Sequence, residues 1–481
     1  MLYSFYWEKI DAAAADVLAA DPDCAMAYWA LAVASLANPL GSPPSAKQEA
    51  HGWEMVQKAK RLGAKTERER DWIDAIAVVF EDYDTVPFKQ RAQAYTDALA
   101  RLRARWPDDS EAAIQYAFWL QVTADRNDQT YARQLESAKL LEPLFATNPN
   151  HPGIAHFLIH AYDFPAIADR GLDAARRYAS IAPDSPHALH MPSHIFSRAG
   201  QWQESIATNQ RSRAAATRDP DVFHAIDYMA YADLQLARDE DVRALVAFVE
   251  SATPKDQVRQ VAYASASVPA RYALERHDWA AASKLALHPL PETFDWKQFP
   301  EAEAVNAFAR GIGAARLGET AAAKSEVARL EALRTRMVEQ DKGYWVEQAD
   351  LQAGAIRAWI ARAEKHDDEA LALMRETADR EDRTEEHIMM PGRVIPAREM
   401  LGEMLLELDR PADALAAFET SLRNDPNRFR NLLGAARAAE RAGDRAKART
   451  YYTRLLAQVG DADGRSEIAA ARAFVQRDAR E

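Results

Sequence analysis

Two stretches concentrate imidazole side chains at helical spacing, "HPGIAHFLIHAYD" at 151–163 and "PHALHMPSHIF" at 186–196. His156 and His160 stand four residues apart, as do His190 and His194, so each pair shares one face of a helix. The pairs recur. His156, His190 and His224 are each separated by 34 residues, and so are His160, His194 and Tyr228. Seven of the 12 histidines lie between His151 and His224. Packed neutral imidazoles need hydrogen-bond partners and clustered protonated ones repel, so five in one 34-residue register call for a ligand. All-imidazole ligation without thiolate suits a transition metal, zinc, copper or iron. Packed helices lie about 8–10 Å apart, close enough for histidines reaching from both sides to share an ion at metal–nitrogen bonds of about 2.0–2.1 Å. The spacing therefore predicts a four-sided site of His156, His160, His190 and His194. Three rungs span about 20 Å, too far for one ion; His224 is either a replacement ligand or a polar contact. A metal-free polar groove for an acidic peptide or small acid, and a purely structural role, are the alternatives.

Around this set, Asp163, Asp227 and Tyr228 are the candidates to orient a ligand imidazole or to act as acid and base. Asp163 reads equally well as a cap or salt-bridge partner. His151 and His187 sit at helix starts, where turn residues are common. "HFLIH" and "HMPSH" lack the glutamate that a zincin places straight after its first histidine; Phe157 and Met191 stand there instead. The chain holds no Gly-rich phosphate loop, nucleophile elbow or GxGxxG, so no nucleotide cofactor is expected. Two classes of function follow. One is a binding module whose groove takes a peptide, a protein partner or a small ligand. The other is a metal-dependent enzyme, a hydrolase or oxygenase, using the same cluster.

The elements that must position these residues are helical throughout. Apolar residues recur three and four apart in segment after segment, and strand-like alternation is almost absent. Breaks such as "RWPDD" (105–109), "TNPNHPG" (147–153), "IAPDSP" (181–186) and "NDPN" (424–427) punctuate them. "SRAGQWQESIA" (197–207), "LERHDWAAASKL" (274–285), "ARLGETAAAKSEV" (315–327) and "AERAGDRAKARTYYTRLL" (439–456) are variants of one helix–turn–helix phrase with a period near 34. Leu401–Gly402 and Leu433–Gly434, the small Ala414, the aromatic Phe418 and Pro426 resemble the tetratricopeptide repeat family. The histidine stretches are similar to a group of bacterial tetratricopeptide proteins with a "HPGxxHxxIHAYD…PHxLHMPSHIF" signature.

The resemblance implies an all-α fold, a right-handed α-solenoid of tetratricopeptide-like antiparallel helix pairs. It also implies that the first helix of each pair lines a concave surface, which puts His187, Tyr231 and Arg271 in a ligand groove beside the histidine rows. Arg271 there would suit a carboxylate. Glu399 and Glu403 form an acidic pair on the matching face, more often an ordinary salt-bridge feature. "EEHIMMPGRVIPAR" (385–398) interrupts the repeat and reads as a connector or a groove-covering loop. The whole of 1–481 is expected to be one solenoid, with divergent repeats at 1–110, His-rich repeats at 111–240, divergent repeats at 241–390 and regular pairs at 391–481.

A net charge of −13 argues against nucleic acid and against an anionic membrane surface. No apolar run approaches the roughly 20 residues of a spanning helix. Cys24, the one cysteine, excludes an intrachain disulfide and a thiolate metal cluster. "MLYSFYWEKIDAAAADVLAADPD" opens almost directly in an amphipathic helix, without a signal peptide. As it stands this reads as cytoplasmic; the start also reads as shortened, which leaves an exported form open.

Overall fold

The structure, a computed structural model, describes residues 1–125 and 128–478. Those residues form α-helices and short 3₁₀ turns, with no strand among them. The described residues form a succession of antiparallel, tetratricopeptide-like helix pairs, most helices packed on their neighbours in sequence. It divides into two compact units, Met1–Asp163 with Ile167–Ile195, and Phe164–Ala166 with Phe196–Glu481. The division falls inside the His-rich segment 111–240. No helix among the described residues is long and apolar enough to cross a membrane.

In the second unit a turn device repeats. Gly200, Ala237, His277, Gly318, Lys365, Asp409 and Gly443 all have positive φ. Each stands two residues before a second helix, at Trp202, Asp239, Trp279, Thr320, Asp367, Pro411 and Arg445. One left-handed residue ends the first helix and turns the chain back, which glycine does without steric cost and other residues do not. The spacing of these turns is 34 only from Asp409 to Gly443 and widens to 47 from Gly318 to Lys365, which is why the period blurs in the middle of the chain.

The repeat residues pack as their types dictate. Phe418 is buried, and a Cβ on Gly402 or Gly434 would come within 2.7 or 2.3 Å of its ring. The two glycines thus clear space on successive first helices, Ala397–Glu407 and Phe429–Arg441, for one aromatic side chain of Pro411–Asn424.

The segment between Asp367–Glu381 and Ala397–Glu407 is laid against the inside of the second unit. Arg198 donates to the carbonyls of Met390 and Pro391 at 3.1 and 3.2 Å, and Arg271 to those of Gly392 and Arg393 at 2.7 Å each. A Cβ on Gly392 would meet the Tyr231 hydroxyl at 2.4 Å. Two buried arginines thus hold four consecutive backbone carbonyls of this segment.

The start of the chain also differs from the expectation of an immediate helix. Leu2–Ser4 and Trp7–Lys9 are 3₁₀ turns, Phe5 between them is left-handed at φ 49°, and the first α-helix is Ile10–Ala20. Tyr3 and Phe5 of "LYSFYW" are not continuing an amphipathic stripe; they pack onto the first of the histidine stretches, and Trp7 stacks on Phe5.

Candidate metal centre

The histidine stretch 151–163 builds the helix Pro152–Tyr162. Pro152 takes the first position, where its missing N–H costs nothing, and the His151 ring accepts the Ile154 N–H at 3.4 Å as N-cap. Every residue from Gly153 to Tyr162 is buried, the pattern of a helix that is apolar all round. Its two histidines are therefore carried into a core, where each ring nitrogen needs a partner.

The second stretch is two short helices, Pro186–His190 and Pro192–Arg198. Pro192 has no N–H to bond back to Ala188, so the helix gives way at Met191. His190 and His194 nevertheless meet, Nε2 to Nε2 at 3.0 Å. His194 Nδ1–H donates to Asp163 Oδ2 at 2.8 Å, which leaves its Nε2 as the lone-pair nitrogen. The Ser193 hydroxyl donates to the His190 carbonyl at 2.7 Å.

His156, His160 and His187 come together, each offering one nitrogen, with these atoms all within 4.8 Å of one another. His156 Nδ1–H donates to the carbonyl of Tyr3 at 2.6 Å, so Nε2 carries the lone pair. His187 Nε2 lies 3.2 Å from it. The Tyr178 ring stacks on His156 at 5.2 Å and 12°, fixing its plane. His160 Nε2 is buried and has no hydrogen-bond partner among the described residues. Burial first, and then the neighbouring imidazoles, hold all three histidines well below the usual range, so they are neutral at pH 7.

The chemistry of this set fits a first-row metal ion. Two nitrogens on one tetrahedral ion at about 2.05 Å stand about 3.3 Å apart. The 3.2 Å separation of His156 from His187 matches that requirement. Neutral imidazoles are the ligating form, and the carbonyl on His156 Nδ1 is the outer partner that fixes the tautomer of a ligand histidine. Three nitrogens leave one position of a tetrahedral ion for another ligand.

The remaining expected residues lie as follows. The His160 and His194 rings are 6.2 Å apart, within one unit. His224 sits on the helix Asp219–Gln235 of the second unit, with the Tyr228 ring edge-on at 5.2 Å. Asp227 accepts from the Ser267 hydroxyl at 2.7 Å and from Arg271 at 3.3 Å. Burial raises the Asp227 carboxyl, with Arg271 opposing. The Tyr231 ring lies under the guanidiniums of Arg271 and Arg428, at 4.8 and 5.6 Å. Tyr231 and Arg271 are both buried, Arg271 being committed to the 392–393 carbonyls. Glu399 pairs with Arg428 at 2.9 Å and Glu403 with His277 at 3.0 Å. Glu403, Arg316, Arg430 and Arg437 line an open cavity of about 540 Å³.

Sequence reasoning missed Tyr3, Phe5, Glu111 and Gly153. Tyr3 donates its hydroxyl to Glu111, and His151 Nε2 contacts the same carboxylate at 3.0 Å. The aromatic run at 2–7 was the available signal.

No family model and no curated protein matches the chain. Solved structures similar to it are a human IFIT1 dimer with m7Gppp-AAAA (10% identity, 90% of each chain, TM-score 0.40), a tetratricopeptide repeat protein from Parabacteroides merdae (10%, 67% of this chain and 98% of that one, 0.28) and the Cut9–Hcn1 APC/C hetero-tetramer (10%, 94% and 76%, 0.33). At TM-scores this low they add nothing to what the helix packing shows.

Proposed function

We propose that the protein is a helical-repeat binding scaffold whose first unit holds a transition-metal ion on His156, His160 and His187, with the fourth position open to a peptide or small ligand. The observation that carries this is the buried Nε2 of His160, without a hydrogen-bond partner among the described residues, in a group whose nitrogens lie within 4.8 Å of one another and in which His156 and His187 stand 3.2 Å apart. A buried polar atom left unpaired costs about 1–3 kcal/mol, and a bound ion removes that cost. The sequence-based ligand set named His190 and His194 in place of His187; the 3.0 Å contact of that pair and the Asp163 carboxylate behind it support an outer role beside the ion. The net charge of −13 disfavours an RNA ligand of the kind bound in the IFIT1 structure.

The test is metal content of the untagged full chain after gel filtration. About one equivalent of zinc, copper or iron is expected, and its loss in the double variant His156→Gln with His187→Gln, folded by circular dichroism. No metal in the wild type after soaking with all three salts overturns the reading.

A further inference from the structure

The residues that make the 151–160 stretch distinctive also hold Tyr3–Phe5. A Cβ on Gly153 would stand 2.5 Å from the Tyr3 ring, so only glycine leaves that ring its place. The His151 ring meets it edge-on at 5.1 Å. His156 Nδ1–H takes the Tyr3 carbonyl at 2.6 Å, the Ser185 hydroxyl takes that of Ser4 at 3.5 Å, and Glu111 accepts the Tyr3 hydroxyl. Phe5 touches all three rings of the histidine set. It is edge-on to His156 at 4.7 Å and stacked on His187 and His160 at 5.4 and 6.2 Å. The strap adopts this path against its own preference, because Phe5 is left-handed at φ 49°, ψ 35°, a region costly for a bulky residue. Its own turn hydrogen bonds, Ser4 N–H to the Met1 carbonyl at 3.0 Å and Phe5 N–H to the Leu2 carbonyl at 3.2 Å, and the contacts to the histidine stretch hold it there together.

Backbone carbonyls held by side-chain donors, with side chains seated in sockets, is how a groove holds a peptide. We infer that the histidine-walled socket recognises a peptide carrying two aromatic residues separated by one small residue, and that Tyr3–Phe5 occupies it in cis as a built-in competitor. The inference rests on the preceding reading in that the same three histidines form the wall, but it needs no ion. A tethered occupant acts at an effective concentration of order millimolar, so a free peptide at micromolar concentration meets a closed site until the strap is weakened.

The test uses the full chain and a fluorescent peptide of sequence LYSFYW, blocked at both ends, followed by anisotropy with EDTA and with zinc. Tyr3→Ala combined with Phe5→Ala should bind the peptide at least tenfold more tightly than the wild type. Phe5→Gly, whose backbone suits the left-handed φ, is the milder variant and should fall between them. Adding Gly153→Ala to the double variant should abolish binding, because the new methyl takes the space of the peptide's tyrosine; glycine to alanine within a helix otherwise favours folding. Folded variants that bind no tighter than the wild type, or a Gly153→Ala change without effect, overturn the inference. Peptide binding by a chain that retains none of zinc, copper and iron leaves the inference standing and overturns the metal reading. Zinc retention without peptide binding does the reverse.

Discussion

Replacing His160 by leucine should have opposite consequences with and without metal. In the metal-free chain His160 Nε2 is buried without a partner among the described residues, and removing it relieves about 1–3 kcal/mol. Against this stands the imperfect fit of leucine for an imidazole, less than about 1.5 kcal/mol for a near-isosteric swap. His160→Leu is therefore expected to match or exceed the wild type by up to about 2 kcal/mol in EDTA. At zinc a hundredfold above its dissociation constant the wild type gains about 2.7 kcal/mol by linkage, and a variant without the third ligand gains far less. The order of stability inverts. Because the chain has two units, a single melting temperature mixes them. Hydrogen exchange of the amides of Pro152–Tyr162 by mass spectrometry reads the local opening directly. Expected are equal or slower exchange for the variant in EDTA, and about hundredfold slower exchange for the wild type in zinc. A variant destabilised in EDTA by the several kcal/mol of an ordinary core truncation, or a wild type that zinc does not protect, refutes the reasoning.

Three further outcomes follow from the same contacts. Lys365 is exposed and left-handed at φ 66°, so Lys365→Gly should stabilise the pair Gly343–Ala363 and Asp367–Glu381 by about 0.5–1 kcal/mol, read as slower amide exchange. Gly434→Ala, with 2.3 Å between the new methyl and the Phe418 ring, should cost about 1–3 kcal/mol in urea unfolding, and much less when Phe418→Leu is already present. Burial, helped by Asp241, raises the Asp233 carboxyl to about 7. A folded state that holds a proton the unfolded state has lost is most stable at low pH. Asp233 therefore withdraws stability as pH rises from about 4 to about 7, on the order of 4 kcal/mol, and Asp233→Asn should remove that slope in urea titrations at several pH values.

The helix pairs were legible because their physics is local. Period-3.6 patterning, Pro and Gly breaks and the small-residue positions at 402, 414 and 434 need no distant partner to be recognised. The histidine rows were legible as rows, since a 34-residue register puts equivalent positions on successive first helices. The pairs His156/His160 and His190/His194 were legible too; that His187 joins the first of them was not. Pro192 breaks the second stretch at Met191, so the face shared by His190 and His194 is not that of one continuous helix, and His187 stands against His156 instead. A covering loop at 385–398 was one of two readings the sequence offered; what holds it in the second unit was hidden. The hold depends on Arg198 and Arg271 reaching carbonyls more than a hundred residues away, and pattern reading registers side-chain periodicity, not backbone acceptors. Tyr3 and Phe5 escaped for the same reason: their partners are 108 to 182 residues on, at Glu111, Gly153, His156 and His187.

The central claim, an ion on three imidazoles of the first unit, is tested most directly by X-ray absorption at the metal edge of the zinc-loaded full chain, compared with His187→Ala. A shell of three imidazole nitrogens at about 2.0–2.1 Å in the wild type, falling to two in the variant, is the predicted result. An all-oxygen shell, or a spectrum unchanged by His187→Ala, contradicts it.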